Sequence, residues 1–223
     1  MSTQFPLNLI LAPNKSAKAF VGGEANAEAV TALADVTGWA NNILAVIGPK
    51  GSGKTHLGHI WAERHKAISL DGGKGFVPRQ DYRGRALWID NASLADEYTL
   101  FTLINLTITG ELKALLFSDQ NMPSEWNVQL PDLHSRLKNV QVARIQEPDE
   151  ELLSAIITKL FMDRGLKVSD KLIDYLLVHA DRSVDSLRNL IHGLDKQAAA
   201  EKVNVTRSFA AKYMHQFKQG QLF

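Results

Sequence analysis

Cysteine is absent from the 223 residues. Disulfides, thiolate metal sites and cysteine nucleophiles are thereby excluded together, which fits a reducing cytoplasm. No apolar run reaches the roughly 18 residues of a membrane span, so none is expected. The opening MSTQFPLNLI lacks a basic stretch followed by an apolar one, so no secretory signal is expected either. Charge of one sign is also missing: 25 Lys and Arg face 24 Asp and Glu, a net charge of +1. That balance argues against a strong non-specific nucleic-acid binder, and no sequence-specific DNA contact is expected. Local basic patches remain open. What is present is ordinary for a folded chain, with 45% apolar and 22% charged residues. Disordered, collagenous and low-complexity classes do not fit.

Along the chain, residues 1–19 read as a tail with two prolines and no sustained period. A helix is expected over 24–36. The continuous apolar run 43–47 suits a strand buried on both faces of a parallel sheet. A helix over 54–65 and a strand over 67–70 follow, then a glycine-rich loop at 71–75. The alternation goes on with strand 86–89, helix 95–107, strand 114–117, helix 131–137 and strand 140–145. Such alternation predicts parallel strands with right-handed crossovers. Past Gln146 the strand signal stops. Pro148 and the acids Asp149, Glu150 and Glu151 mark a helix start, and further helices are expected over 169–180, 183–200 and 206–217. The expected organisation is an N-terminal tail (1–19), an α/β nucleotide-binding domain (20–146) and an all-helical lid (147–223).

Gly48-Pro49-Lys50-Gly51-Ser52-Gly53-Lys54-Thr55 matches G-x-x-x-x-G-K-[ST] at every fixed position, between an expected strand and an expected helix. The chemistry needs each part. Glycines let backbone N–H groups turn inward around phosphate oxygens. The helix that follows aims its positive end at the same anion. Lys54 would reach the β- and γ-phosphates and the Thr55 hydroxyl would ligate Mg²⁺. The expected ligand is therefore ADP or ATP with Mg²⁺. A P-loop also calls for an acidic residue at the tip of another core strand, and Leu87-Trp88-Ile89-Asp90 supplies it; Asp90 would hold the metal through water. The next strand tip, Ser118-Asp119, offers two polar candidates for the γ-phosphate or its attacking water, against the plainer reading of a turn former. His56, His59 and His65 lie on the P-loop helix with no carboxylate or cysteine partner in the pattern, so they read as helix-surface residues rather than metal ligands.

P-loop, acidic strand tip, polar strand tip and helical lid come in the order of AAA+ ATPases. Within them, Leu130-Pro131-Asp132-Leu133-His134-Ser135-Arg136-Leu137 resembles the L-P-D-L-x-S-R-L segment of the Hda proteins, regulators related to the replication initiator DnaA. Phe20-Val21-x-Gly23-x-x-Asn26 is similar to the lead-in of the same family. The resemblance covers about residues 20–218, and no counterpart of the DnaA DNA-binding domain is expected. It implies that Arg136 is a trans-acting arginine finger reaching a neighbour's nucleotide. A guanidinium suits that task, being planar, permanently charged and able to grip phosphate with two donors. AAA+ ATPases commonly carry a glutamate after the strand-tip aspartate; here Asn91 stands there and cannot serve as a carboxylate base, so intrinsic hydrolysis should be weak. The family also implies a lid arginine near the nucleotide. Two registers put either Asp185 or Arg188 there, on one helix face, with Arg188 preferred and Arg182 in reserve.

The resemblance extends to the tail. Gln4-Phe5-Pro6-Leu7-Asn8-Leu9 fits Gln-x-x-Leu-x-Leu, which in Hda proteins binds the sliding clamp of DNA polymerase III. Physically it is an extended apolar peptide with one amide anchor, suited to a groove. Gln219-Gly220-Gln221-Leu222-Phe223 is a rival peptide of similar pattern. The function implied is that of a cytoplasmic regulator that docks on the DNA-loaded clamp and stimulates ATP hydrolysis on DnaA. Self-association is compatible with this layout. The alternatives are a stand-alone ATPase of the helicase-loader type and a non-catalytic clamp adaptor.

Overall fold

The computed structural model describes residues 20–220, with side chains through residue 216. Gln4, Leu7 and Leu9 of the proposed clamp peptide, and the Leu222-Phe223 end of its rival, lie outside these residues. The order is α1 (Glu24–Ala34), β1 (Ile43–Ile47), α2 (Lys54–His65), β2 (Ile68–Asp71), β3 (Ala86–Asp90), α3 (Glu97–Ile108), β4 (Ala114–Asp119), α4 (Pro131–Leu137) and β5 (Gln141–Arg144). Four helices follow: α5 (Glu150–Met162), α6 (Asp170–His179), α7 (Val184–Glu201) and α8 (Arg207–Gly220). The strands form one parallel sheet in the order β2-β3-β4-β1-β5.

All five residues of β1 are buried, as a continuous apolar run between two helical layers requires. The period of two sorts its side chains. Ile43, Ala45 and Ile47 join a core with Leu100, Leu103 and Ile104 of α3 and Leu133 and Leu137 of α4. Leu44 and Val46 face the other way, into a core with Ala29 of α1 and Leu57 and Trp61 of α2. Thus α3 and α4 cover one face of the sheet and α1 and α2 the other. The helices after residue 149 share a third core around Leu153, Ile157, Phe161, Leu172, Leu176, Ile191 and Leu194.

Element ends differ from the sequence pattern for local reasons. β4 runs through Ser118 and Asp119 because its pairing with β1 continues to Ile47 opposite Asp119. α3 starts at Glu97 because the Asp96 carboxylate accepts the Thr99 N–H at 2.8 Å and caps it. No helix of the described residues is long and apolar enough to cross a membrane.

Candidate nucleotide site

The loop from β1 to α2 lies at the C-terminal edge of the sheet, beside the tips of β4 and, one strand further, β3. Gly51 and Gly53 adopt φ of +75° and +102°, backbone that only glycine takes without strain. The Gly48 N–H donates to the Asp119 carbonyl at 3.3 Å and ties the loop to β4. Lys54 Nζ donates to the carbonyls of Gly48 and Pro49, each at 2.8 Å. The Ser52 hydroxyl is buried with no partner. A buried hydroxyl without a partner in this glycine-rich turn is a group that a phosphate oxygen would satisfy. Burial pulls the Lys54 pKa below the usual lysine value, against the opposing charges of Asp90, Asp119 and Asp185.

Two side chains of the site converge on Asp90. Thr55 Oγ1 donates to its Oδ2 at 2.9 Å and Ser118 Oγ to its Oδ1 at 2.6 Å. The Trp88 indole N–H donates to Ser118 Oγ at 2.9 Å, so a chain that starts in the core runs from indole to hydroxyl to carboxylate to hydroxyl. α2 comes close enough for this because residue 58 is glycine; a Cβ there would sit 2.1 Å from the Trp88 ring. Thr55 and Asp90 together present hard oxygen donors, which suits Mg²⁺ shared with phosphate. Among the described residues no cluster of three His, Asp or Glu could hold a metal by itself.

The candidates at the β4 tip separate. Asp119 accepts the backbone N–H groups of Ser93 (2.8 Å), Gln120 (2.7 Å) and Asn121 (3.3 Å). Its carboxylate organises the turns, and neither it nor Asp90 lines the cavity; Ser118 is the residue wired to Asp90. Asn91 sits at φ +52° and donates its amide to Asp71 Oδ1 at 3.3 Å, toward the β2 tip.

Above the loop is a cavity of about 310 Å³, within the range of small-ligand sites. Residues 51–55 floor it, Phe20, Val21 and Asn26 form one wall, and Leu152 and Ile156 of α5 another. Gly48, Pro49 and Lys50 make the outer arm of the loop and do not line it. Apolar walls over a phosphate-type floor suit a flat base with a charged tail. The buried Asn26 fixes the entry to α1, its Oδ1 accepting the Gly23 N–H at 3.1 Å and its Nδ2 donating to the Val21 carbonyl at 3.0 Å.

The P-loop helix histidines are half-buried rather than on the helix surface. His56 meets the Phe20 ring edge-on at 5.4 Å, His59 meets Trp88 at 4.8 Å and His65 tilts against Trp61 at 4.9 Å. From the lid, Asp185 and Arg188 both line the cavity, and Arg188 Nη1 donates to Asp185 Oδ1 at 2.9 Å. Arg182 does not line it and instead pairs with Glu150 at 3.8 Å.

Arg136 lies elsewhere. It stands on α4, which covers the sheet face opposite α1 and α2, and it does not line the cavity. Its guanidinium carbon sits 5.2 Å from the centroid of the Phe101 ring of α3. No carboxylate among the described residues pairs with it. Glu97 Oε2 accepts the N–H groups of Gln129 at 2.7 Å and Leu130 at 3.2 Å, anchoring the chain just before α4. The sequence reading passed over Phe101, Glu97 and Trp88. An apolar ring one helix away from a lone arginine carries no local signal, although Gly58 inside α2 was a hint of a bulky neighbour.

No protein-family model matches the chain. The chain is 28% identical over 253 residues to the chromosomal replication initiator protein DnaA of Lactobacillus helveticus, covering 96% of this chain and 53% of that protein. It therefore spans about half the length of that initiator. Domain III of the Thermotoga maritima replication initiation protein DnaA superposes with a TM-score of 0.78 at 20% identity, covering 92% of this chain and 98% of the other. AMPPCP-bound DnaA from Aquifex aeolicus superposes with a TM-score of 0.71 at 19% identity, over 94% of this chain and 71% of the other. The fold is that of the AAA+ P-loop ATPases, and homology to the AAA+ domain of DnaA is supported.

Proposed function

We propose that this DnaA-related AAA+ chain is an Hda-like regulator of replication initiation, which binds an adenine nucleotide and stimulates ATP hydrolysis on DnaA. The observation that carries the proposal is Arg136, a guanidinium held over Phe101 with no carboxylate partner among the described residues. It is remote from the chain's own cavity. Most helix arginines settle into surface ion pairs. One left uncompensated on a positioned helix suits an anion brought by another molecule, and across an interface it can accelerate phosphoryl transfer by orders of magnitude.

In the chain's own cleft, residues 51–55 would cradle the phosphates, Thr55 and Asp90 would hold Mg²⁺, and Phe20, Leu152 and Ile156 would receive the base. The metal, when bound, neutralises phosphate charge. Trp88 and Ser118 orient Asp90. Asn91 gives the cleft no carboxylate base after Asp90, which supports weak intrinsic hydrolysis and disfavours a stand-alone helicase-loader-type ATPase. Docking on the polymerase III clamp is assigned to Gln4, Leu7 and Leu9.

The test is DnaA loaded with labelled ATP, mixed with the chain in the presence or absence of clamp loaded on DNA. Hydrolysis on DnaA should accelerate only when chain and clamp are both present, and Gln4→Ala with Leu7→Ala should remove the effect and the clamp pull-down together. Acceleration by the double variant equal to the parent's would move the clamp contact to Leu222 and Phe223. Absence of any acceleration by the parent would end the regulator reading.

A further inference from the structure

The lid meets the phosphate loop through the first turn of α7. The Val184 N–H donates to the Gly51 carbonyl at 3.3 Å. A Cβ on Gly51 would fall 2.2 Å from Ser183 Oγ and 3.5 Å from the Asp185 nitrogen. The approach places Asp185 in the cavity wall with Lys54 and Arg188. Asp185 is one of three carboxylates whose charge acts on the Lys54 ammonium. The other two have fixed structural work, Asp90 holding Thr55 and Ser118 and Asp119 holding backbone amides. Asp185 is different: the side chain it engages is Arg188, the one lid arginine lining the cavity among the described residues. A carboxylate thus stands in the wall of a site whose floor is built for anions, bonded to a cation that could otherwise reach the ligand.

We propose that Asp185 limits the nucleotide affinity of the cleft, withholding Arg188 from phosphate oxygens and adding a negative charge beside them. The inference rests on the reading of the cleft as a nucleotide site. Binding must then draw Arg188 away from Asp185. The exchange is feasible because the pair is a partly exposed contact three residues apart on one helix, with side-chain exposures of 28% and 60%, and such pairs hold weakly. A guanidinium on phosphate makes charge-assisted, bidentate contacts. Once Arg188 has moved, the Asp185 charge is unpaired close to the bound anion, and its repulsion opposes binding at any phosphate count.

An acid in the first turn of a helix is favourable in its own right, through the helix dipole. If that were the whole role of Asp185, removing its charge would lower stability and leave ligand affinity alone. The proposal predicts opposite signs in the two readouts, a slightly lower thermal midpoint and tighter nucleotide binding.

The test is calorimetric titration of the full chain with Mg-ADP and with Mg-AMPPCP. Asp185→Asn keeps the side-chain shape and should bind both about tenfold more tightly than the parent. Arg188→Ala should bind more weakly. In the Arg188→Ala background, Asp185→Asn should recover less than it gains in the parent, because no guanidinium is left to release. Parental or weaker affinity in Asp185→Asn, with the parent binding normally, overturns the inference and leaves the cleft assignment standing. A parent that binds neither ligand overturns the cleft assignment itself.

Discussion

The nucleotide cleft and the α3–α4 face each present cations, and they treat them differently. In the cleft the lysines and the arginine are internally compensated: Lys54 is bonded to the carbonyls of its own loop, Lys159 to Asp163 and Arg188 to Asp185. On the α3–α4 face the Arg136 guanidinium rests on an aromatic ring with no carboxylate partner among the described residues. Compensation suits a site that must stay ordered until its ligand enters. A ring gives a guanidinium direction without cancelling its charge, which suits a group whose partner arrives on another molecule. On the proposed function, the contrast separates a site for holding a nucleotide from a site for acting on one.

The largest expected effect breaks the cleft alone. Lys54→Ala removes the ammonium from a preformed anion cradle, and nucleotide affinity should fall about a hundredfold or more. Calorimetry would read it, and unchanged affinity would refute the cradle. Next is Gly58→Ala, which forces a Cβ into the Trp88 ring 2.1 Å away. Such overpacking should cost about 1–3 kcal/mol in urea denaturation. By disturbing the indole that holds Ser118 on Asp90, it should also weaken the Mg²⁺-dependent part of nucleotide binding. A normal Mg²⁺ dependence would show that Trp88 does not orient Asp90.

The other face is probed by Phe101→Ala. Losing a half-buried cation–π contact is worth about 1 kcal/mol, so stimulation of DnaA should fall about fivefold. Nucleotide affinity in the chain's own cleft should stay at the parental value and Phe101→Tyr should restore stimulation. Failure of tyrosine to rescue would assign the loss to packing instead. The smallest effect belongs to Arg182→Ala. Its pair with Glu150 spans 3.8 Å between exposed side chains, so stability should change by at most about 1 kcal/mol. Nucleotide affinity should not change at all; a clear loss would make Arg182 the lid arginine after all.

What was legible in the sequence was what contiguous residues specify. The P-loop needs glycine in its turn, and both positive-φ positions are glycines, Gly53 at a fixed place of the motif and Gly51 at a variable one. The Pro131 helix start and the Arg136 segment are equally local. What was not legible depends on segments that meet only in the fold. Trp88 reaches Ser118 across 30 positions, and Gly51 meets Val184 from the far end of the chain. The choice between Ser118 and Asp119 needed the register of β4, which decides which side chain turns toward Asp90 and which toward the backbone of the next loop. The choice among Asp185, Arg188 and Arg182 needed the placement of α7 on the loop, which helical spacing alone cannot supply.

The central claim is that Arg136 acts on a nucleotide other than the one in its own cleft. The most direct measurement is a single-turnover assay with Arg136→Ala, using DnaA preloaded with labelled ATP and clamp on DNA. The variant should bind nucleotide and clamp as the parent does, while stimulation of hydrolysis on DnaA collapses by orders of magnitude. Stimulation equal to the parent's would contradict the account and leave the chain as a clamp-bound adaptor.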